Sequence, residues 1–317
     1  MTKSRSLVLT DSPEELVKKF LSMKDRSNIA TLLDIDENTL IYHLYRVPEE
    51  KRYKTFEIPK NHGGTRTISA PITTIKIIQR KLNQVLQCIY KPRNVVHSYR
   101  HDRNIVTNAE QHLQRNLILN IDLKNFFPSI HIGRIIGLFK HQPYNCTEVV
   151  AKTLAQICCF RGTLPQGAPT SPILSNMICL TLDKDIEQLA RKYGFVYTRY
   201  ADDISLSTLD NDFPNAIVEY DQYGQLQVGE ELQKIIRTNS FEINKEKVRI
   251  RNPNERQLVT GIVTNVFPNV RREYVRKIRA MLYALEKFGL SNAEKEYHSK
   301  YYKLSLREPS IKWTAPL

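Results

Sequence analysis

The chain has 317 residues, of which 41% are hydrophobic, so it can bury a sizeable core in about two or three lobes. Its 47 Lys and Arg against 33 Asp and Glu leave a net charge of +14, which favours a polyanionic partner. The five cysteines include no Cys-x-x-Cys pair, which argues against a zinc site and a disulfide framework. The N-terminal apolar stretch is too short for a secretory signal, and no apolar run has the length of a bilayer, which argues against a membrane association. Together these features predict a cytoplasmic protein.

The first 115 residues predict helices followed by a hairpin. Ser12-Pro13-Glu14-Glu15 is typical of a capping box and predicts a helix over 14–23, and two more helices are predicted over 28–33 and 37–45. Two cations, Lys60 and Arg66, flank a Gly-Gly turn between β-prone segments, so both can reach one anion from a short hairpin. A long amphipathic helix is predicted over 75–89.

An apolar run over 116–121 predicts a strand buried on both faces, which ends on Asp122. The charge then lies at a strand terminus, where it can share a metal ion with a neighbouring turn. The alternative is that Asp122 caps the segment that follows it.

Helices are predicted over 131–140, 147–159 and 171–193, the last ended by Gly194 and capped by Thr170 or Ser171. Residues 195–200 and 204–208 then predict two strands that meet at Asp202 and Asp203.

Adjacent carboxylates raise each other's pKa unless a divalent cation neutralises them. With Asp122 they form the kind of cluster that two-metal phosphoryl transfer requires. The alternative is an ordinary acidic turn.

Residues 209–229 are polar and predict an irregular insertion, whose acidity argues against RNA contact. Residues 258–263 predict a strand with a close backbone approach at Gly261.

Taken together, these segments resemble the reverse transcriptases, and more narrowly the bacterial retron reverse transcriptases. The segment 120–129 is similar to the first catalytic-aspartate block of the family, 200–203 to the second, 164–172 to the nucleotide-pocket block, and 241–247 to the block after the catalytic hairpin. Two segments match patterns of the retron branch: 108–112 matches Asn-Ala-x-x-His and 259–261 matches Val-Thr-Gly. The resemblance extends from about residue 11 to about residue 285.

The resemblance implies an α/β (α+β) fold of the right-hand polymerase type. Its expected parts are an N-terminal helical segment (1–50), fingers (51–115), a palm with the catalytic hairpin (116–265, with fingers elements interleaved at about 140–170), and a thumb with a C-terminal tail (266–317).

The resemblance also implies roles for individual residues. Asp122, Asp202 and Asp203 are the expected catalytic residues, and with the Leu123 backbone carbonyl they would hold two Mg²⁺ ions, with Mn²⁺ as a possible substitute. The expected nucleotide-binding residues are Lys60, Arg66, Phe127 as the steric gate against a ribose 2′-hydroxyl, Gln166 and Lys247.

The basic tail from Arg271 onward, interleaved with aromatic residues, suits RNA backbone contact and base stacking. Its alternative is a solvated amphipathic helix that packs on the palm. For His112 the pattern leaves open either RNA contact or a position in the core. The expected RNA-binding residues are Asn108, His112, Arg271, Arg272, Arg276, Lys277 and Arg279.

The activity implied by the resemblance is RNA-directed DNA polymerisation. The enzyme would copy part of its own structured noncoding RNA into branched, RNA-linked single-stranded DNA (msDNA), starting from an RNA 2′-hydroxyl. Its expected partners are that RNA and the msDNA product, deoxynucleoside triphosphates, and an effector protein for phage defence. The alternatives are another bacterial reverse transcriptase, of the intron or abortive-infection type, and a catalytically silent RNA-binding scaffold.

Overall fold

The computed structural model describes residues 7–60 and 63–301. It divides into two compact units. The larger contains the chain up to Ile58 and from Arg66 to Asn269, and the smaller contains Pro59–Thr65 and the chain from Val270 onward. The predicted fingers, palm and thumb boundaries stay predictions.

The chain up to residue 263 contains both helices and strands. In chain order they are α1 (Pro13–Leu21), α2 (Arg26–Leu32), α3 (Glu37–Ile41), β1 (Tyr53–Pro59), β2 (Thr65–Pro71), α4 (Thr73–Ile89), α5 (Ile105–Glu110), β3 (Leu117–Asp122), α6 (Ile132–Lys140), α7 (Glu148–Cys158), α8 (Ser171–Ile178), α9 (Leu180–Tyr193), β4 (Val196–Tyr200), β5 (Asp203–Thr208), β6 (Val218–Tyr220), β7 (Leu226–Val228), α10 (Glu230–Thr238), β8 (Arg249–Arg251), β9 (Leu258–Val259) and β10 (Ile262–Val263).

The three N-terminal helices form near their predicted positions, although α2 begins at Arg26 and not at residue 28. Ser12 and Glu15 form a reciprocal capping box on α1, and the side chains of Asp25 and Asp36 accept backbone hydrogen bonds at the starts of α2 and α3. The third predicted helix is shorter than expected, because α3 passes into a π-helical turn at Tyr42–Arg46.

An antiparallel sheet in the order β4-β5-β3-β8 lies at the centre of the larger unit. Strand β3 is interior, with β5 on one side and β8 on the other, so its apolar side chains are buried as the run over 116–121 predicts. Helices α6 to α9 bury their apolar faces in one core with this sheet, together with α1, α2 and α4. Four of the cysteines are buried thiols and Cys88 is half-buried, in agreement with the sequence.

Three segments differ from the predictions. The helix predicted over 171–193 is two helices, because the backbone of the buried Cys179 bends between α8 and α9. Neither predicted capping residue caps α8: Thr170 makes no capping hydrogen bond, and the Ser171 hydroxyl donates to the carbonyl of Pro165 at 2.7 Å. The insertion at 209–229 contains the antiparallel hairpin β6-β7.

The segment at 258–263 is a tight hairpin and not a continuous strand. Val259 pairs with Ile262 across β9 and β10, and Thr260 and Gly261 form the turn with φ of 47° and 83°. Left-handed φ at both positions is typical of a type I′ turn, which explains the glycine. A Cβ on Gly261 would meet nothing within 4 Å, so the predicted close backbone approach is wrong.

The smaller unit contains the tip of the β1-β2 hairpin and α11 (Arg272–Tyr301). Gly289 interrupts α11 with φ of 72° and ψ of 168°, so the basic tail forms two helical segments joined by a kink. Within 7–60 and 63–301, no helix has both the length and the apolar character that crossing a membrane requires.

Candidate active site

The two acidic residues of the hairpin lie where β4 turns into β5. Tyr200 pairs with Asp203, which leaves Ala201 and Asp202 as the turn. Ala201 has φ of 58°, a left-handed conformation that costs a non-glycine residue about 1 kcal/mol. The carbonyl of Asp202 accepts a hydrogen bond at 3.0 Å from the backbone N–H of Leu123, so the turn is tied to the end of β3.

Asp122 lies directly opposite Asp203 in the β3-β5 ladder, as the sequence predicts for a charge at a strand end. Its Oδ2 accepts from the Lys247 ammonium at 2.7 Å, and its Oδ1 accepts from the Asn244 amide at 3.3 Å. Lys247 and Asn244 therefore both contact Asp122, and the predicted binding of a nucleotide by Lys247 stays a prediction.

The three carboxylates repel one another. Burial and then the Asp122 charge raise the pKa of Asp202, against the lowering effects of Lys247 and Arg66. The Asp203 side chain reaches solvent, but the protein around it removes much of its hydration. This desolvation, together with the charges of Asp202 and Asp122, raises the pKa of Asp203 to about 7. The site is therefore short of positive charge.

Divalent metal ions fit the chemistry of this donor set, because carboxylate oxygens are the ligands that Mg²⁺ and Mn²⁺ prefer. The side chains are not gathered into a metal cluster: across the described residues, no three His, Cys, Asp or Glu stand together so that they could hold an ion. Asp122 is instead paired with Lys247, so a metal ion would have to displace the Lys247 ammonium or share the Asp122 carboxylate with it. The metal role of the three aspartates and of the Leu123 carbonyl stays a prediction.

A cleft of about 570 Å³ lies beside the acidic turn and has Asp202 in its wall. Three cations on β2 and α4 line it, and an aromatic pair lines it together with the predicted pocket residue Gln166. The lining includes Arg66, Lys76, Arg80, Tyr99, Phe127 and Gln166. Basic side chains beside an acidic cluster provide two sites of opposite charge, one for an anionic phosphate chain and one for the cations that accompany it.

The Gln166 turn is docked on β2. The carbonyl of Gln166 accepts from the backbone N–H of Ser69 at 2.8 Å. Gly167 follows with φ of 113°, and a Cβ there would lie 2.9 Å from Cγ2 of Ile68 and 3.2 Å from the Ser69 carbonyl oxygen. Only glycine permits both this backbone conformation and this close approach, and the resulting contact places Gln166 and Arg66 in the same cleft.

Phe127 is half-buried in the cleft wall, and its role as a steric gate stays a prediction. Its ring lies 5.4 Å from that of Phe126 and 6.5 Å from that of Tyr99, measured between centroids. These neighbouring rings restrict where the Phe127 ring can move.

Lys60 lies at the end of β1, in the smaller unit. Its backbone N–H donates to the Gly64 carbonyl at 3.0 Å, and its carbonyl accepts from Gly63 at 3.3 Å, so the Gly-Gly turn forms as predicted. Both glycines have positive φ. The predicted grip of Lys60 on a triphosphate stays a prediction.

The two segments that match the retron patterns lie against each other. The amide of Asn108 donates to the Thr260 hydroxyl at 3.5 Å, and Ala109 packs with Val259 and Ile262 in a small apolar cluster. Asn108 is buried, so it anchors the 258–263 hairpin to α5. A direct RNA contact by Asn108 stays a prediction.

His112 is fully buried and occupies a core position, one of the two alternatives that the pattern leaves open. Its two ring nitrogens lie 2.7 Å from the hydroxyls of Ser207 and Thr198, one on each strand of the catalytic hairpin. Burial lowers the pKa of His112 to about 3, with Arg115 and His97 contributing, so the imidazole is neutral. Because the His112 side chain is fully buried, it cannot contact RNA directly. It could affect RNA binding only by supporting residues at the surface.

The basic side chains at the start of α11 reach solvent. Arg271, Arg272, Arg276 and Arg279 are exposed. Lys277 is half-buried, with its ammonium 5.1 Å from the centre of the Tyr297 ring. The predicted RNA contacts of these residues stay predictions.

Sequence reasoning did not find several residues around the site. Lys76 and Arg80 lie one turn apart on α4, and their i,i+4 spacing together with the predicted helix could have shown that they share a face. Tyr99 and Ser98 lie in an irregular segment without periodicity, so no local pattern marks them.

The chain was compared with known proteins. A family model described as reverse transcriptase (RNA-dependent DNA polymerase) matches residues 58–282. The Mx65 retron reverse transcriptase of Myxococcus xanthus is 32% identical over 82% of this chain and 62% of its own length. The Ec86 retron reverse transcriptase of Escherichia coli is 32% identical over 82% of this chain and 78% of its own length.

Among solved structures, telomerase from Candida albicans in complex with a fragment of telomeric RNA has a TM-score of 0.47. It is 13% identical and covers 81% of this chain and 57% of that one.

Proposed function

Since the chain belongs to the reverse transcriptase family and, within it, to the retron reverse transcriptases, we propose that it copies an RNA template into DNA. The observation that carries the proposal is the junction of three acidic residues with a basic cleft. Asp122 and Asp203 are paired across β3 and β5. Asp202, in the turn before Asp203, lines the cleft together with Arg66 and Gln166.

In this proposal the cleft binds the incoming deoxynucleoside triphosphate. Arg66, with Lys60 at the hairpin tip, binds the triphosphate, and the Gln166 turn positions the sugar and base. Phe127 excludes ribonucleotides because its ring occupies the space that a 2′-hydroxyl needs. Lys247 holds Asp122 in place through the 2.7 Å ion pair.

Asp122, Asp202 and Asp203, with the Leu123 carbonyl, would hold the divalent ions. Bound there, two such ions lower the pKa of the attacking hydroxyl and stabilise the leaving pyrophosphate. The raised pKa values of Asp202 and Asp203 support this proposal, because nearby positive charge would relieve the repulsion between the carboxylates.

We further propose the retron form of the reaction: the enzyme copies part of its own structured noncoding RNA into msDNA, starting from an RNA 2′-hydroxyl. Support comes from the names of its relatives and from the contact between Asn108 and Thr260, which joins the two retron-type segments. The partners in this proposal are that RNA, its msDNA product and an effector protein for phage defence.

Primer extension tests the polymerase proposal. Purified protein with an RNA template, a DNA primer, Mg²⁺ and deoxynucleotides should extend the primer. The double variant Asp202→Asn, Asp203→Asn should lose about a thousandfold or more in rate, because both carboxylates would hold the divalent ions that promote the reaction. Asp212→Asn, an exposed acidic residue in the 209–229 insertion, is the matched control and should keep wild-type activity. Full activity in the double variant would contradict the mechanism.

The retron form requires a separate experiment. Nucleic acid that copurifies with the protein should contain DNA that stays attached to RNA after denaturation and is released by a 2′,5′-debranching enzyme. Sequencing the RNA part then identifies the template. Linear DNA without an RNA branch, from a protein that is active in primer extension, would support another type of bacterial reverse transcriptase instead.

A further inference from the structure

Both backbone polar groups of Ala201, in the turn that carries the two aspartates, are held by buried side chains. Its N–H donates to the Ser98 hydroxyl at 2.8 Å, and its carbonyl accepts from Nη1 of Arg199 at 3.1 Å. Ala201 is the residue with left-handed φ, and a non-glycine residue keeps that conformation only where its surroundings impose it. Ser98 and Arg199 provide that constraint.

Arg199 belongs to a polar network that is sealed from solvent. Its Nε and Nη2 donate to the two carboxylate oxygens of Asp183 at 2.7 and 2.8 Å, and both side chains are fully buried. The Tyr197 hydroxyl also donates to Asp183, at 2.7 Å. Asn176 accepts from Arg199 at 3.1 Å and donates to the Ser98 carbonyl at 2.9 Å, which closes the network around the turn.

The network joins segments that are distant along the chain. Ser98 ends a stretch that runs beside β4, because the N–H of Arg199 donates to the Val95 carbonyl at 2.8 Å and the N–H of His97 donates to the Arg199 carbonyl at 3.0 Å. Asn176 comes from α8 and Asp183 from α9. The turn is therefore fixed from three directions, while its two aspartates remain on the side of the cleft and β3.

A buried ion pair is a poor way to gain stability, since well-packed apolar residues of the same size often stabilise a core as much or more. An Arg-Asp pair can donate a directed hydrogen bond to one carbonyl oxygen, which apolar residues cannot do. Here that oxygen belongs to the residue immediately before Asp202 and Asp203. The position of the pair therefore indicates a geometric role at the turn.

We propose that Ser98 and the Arg199–Asp183 pair are positioning residues for the catalytic turn. By holding Ala201 in the left-handed conformation, they set the directions in which the Asp202 and Asp203 side chains leave the backbone. This inference rests on the proposed function for its catalytic consequence, but the constraint on the turn can be measured without activity.

Ser98→Ala is the test variant and Tyr197→Phe is its matched control. Each removes one hydroxyl from the same buried network, but only the Ser98 hydroxyl contacts the turn. In 15N-alanine-labelled protein, the Ala201 amide should exchange with solvent about tenfold faster in Ser98→Ala than in wild type, and at the wild-type rate in Tyr197→Phe. In single-turnover primer extension, Ser98→Ala should be about tenfold slower and need more Mg²⁺ for half-maximal rate, while Tyr197→Phe stays within about twofold of wild type.

A second variant separates positioning from general destabilisation. Ala201→Gly removes the steric cost of the left-handed conformation. Adding it to Ser98→Ala should therefore recover part of the lost rate, although the double variant is no better packed than Ser98→Ala alone. Equal rate loss in Ser98→Ala and Tyr197→Phe, or Ala201 exchange that Ser98→Ala leaves unchanged, would overturn the proposal.

Failure of the proposed function gives a different result. In that case wild-type protein would not extend primers, yet Ala201 exchange would still report whether Ser98 holds the turn. Mn²⁺ binding, measured by electron paramagnetic resonance without RNA or nucleotide, would also still show whether Ser98→Ala weakens the carboxylate site relative to Tyr197→Phe. Unchanged exchange would refute the positioning role whatever the activity.

Discussion

Asp122 and Asp203 are direct partners across the β3-β5 ladder, and only Asp122 has a cation as its close neighbour. The Lys247 ammonium lies 2.7 Å from Asp122, whereas Asp203 faces two other carboxylates that raise its pKa. Two aspartates with the same proposed role therefore differ in what they do to the stability of the protein.

Asparagine substitutions should separate these two effects. Asp203→Asn should raise the free energy of unfolding in chelator by about 1 kcal/mol, because it removes a repelled charge, whereas Asp122→Asn should lower it by up to about 1 kcal/mol, because it breaks a partly exposed ion pair. Both variants should lose polymerase activity. Urea unfolding in chelator and primer extension measure the two quantities, and the same sign of stability change in both variants would contradict this interpretation.

Gly167 should not tolerate a side chain. In Gly167→Ala the new Cβ would lie 2.9 Å from Ile68, and alanine disfavours φ of 113°, so stability should fall by about 2 kcal/mol and the KM for deoxynucleotides should rise. Gly137→Ala is the matched control, because Gly137 is in α6 with nothing within 4 Å of its Cβ position. It should be neutral or stabilise the protein by up to about 1 kcal/mol. Thermal unfolding and steady-state kinetics would measure both variants.

Phe127 should determine the choice of sugar. Phe127→Val opens the cleft where a 2′-hydroxyl would lie, so the preference for deoxynucleotides over ribonucleotides should fall by about tenfold to a hundredfold in kcat/KM. Tyr220→Ala, which removes an exposed aromatic ring from β6, is the control and should leave the preference unchanged. Competitive single-nucleotide incorporation measures the ratio. An unchanged ratio in Phe127→Val would exclude Phe127 as the steric gate.

His112 should make the protein less stable in acid. Its pKa is about 3 in the folded state against an ordinary value of 6.5, so between these pH values the unfolded chain binds a proton that the folded chain does not. Stability is therefore fully present above pH 6.5 and falls as the pH drops below it, by about 1 kcal/mol between pH 7.5 and 5.5. Burial likewise lowers the pKa of His97 to about 4, so His97 adds a similar dependence.

Urea unfolding at pH 7.5, 6.5 and 5.5 measures this dependence. His112→Gln should be less stable at every pH, since the hydrogen bonds to Ser207 and Thr198 are disturbed, but it should lose about half of the pH slope. His101→Gln, at an exposed position, should keep the wild-type slope. A wild-type slope in His112→Gln would mean that the pKa of His112 is the same in the folded and the unfolded protein.

The cations of α11 should bind RNA through its phosphates. Replacing Arg272, Arg276 and Arg279 together by Gln should weaken RNA binding and reduce the dependence of log Kd on log salt by about two to three units of slope. Lys18→Gln, Lys184→Gln and Lys234→Gln together, at exposed positions on α1, α9 and α10, are the control for the loss of three charges and should change the slope little. An equal change in both sets would mean that overall charge, and not α11, governs binding.

Local signals predicted most of the element types. The capping box at Ser12 predicted the first helix. The apolar run before Asp122 predicted an interior strand, because burial on both faces requires apolar side chains throughout. Predictions were weaker where two conformations satisfy the same pattern. Alternation over 258–263 fits one strand or two, and only Thr260 and Gly261 at positive φ decide for the hairpin.

The sequence by itself indicated the candidate catalytic and pocket residues, because Asp122, Asp202, Asp203 and Gln166 lie in short contiguous motifs whose residue types suit one reaction. Only the tertiary structure decided what surrounds them. Lys247 reaches Asp122 across 125 positions, Ser98 reaches Ala201 across 103, and His112 is buried against side chains of β4 and β5. Such contacts depend on how distant strands and helices pack, and packing leaves no periodicity in the local sequence to reveal which side chains will meet.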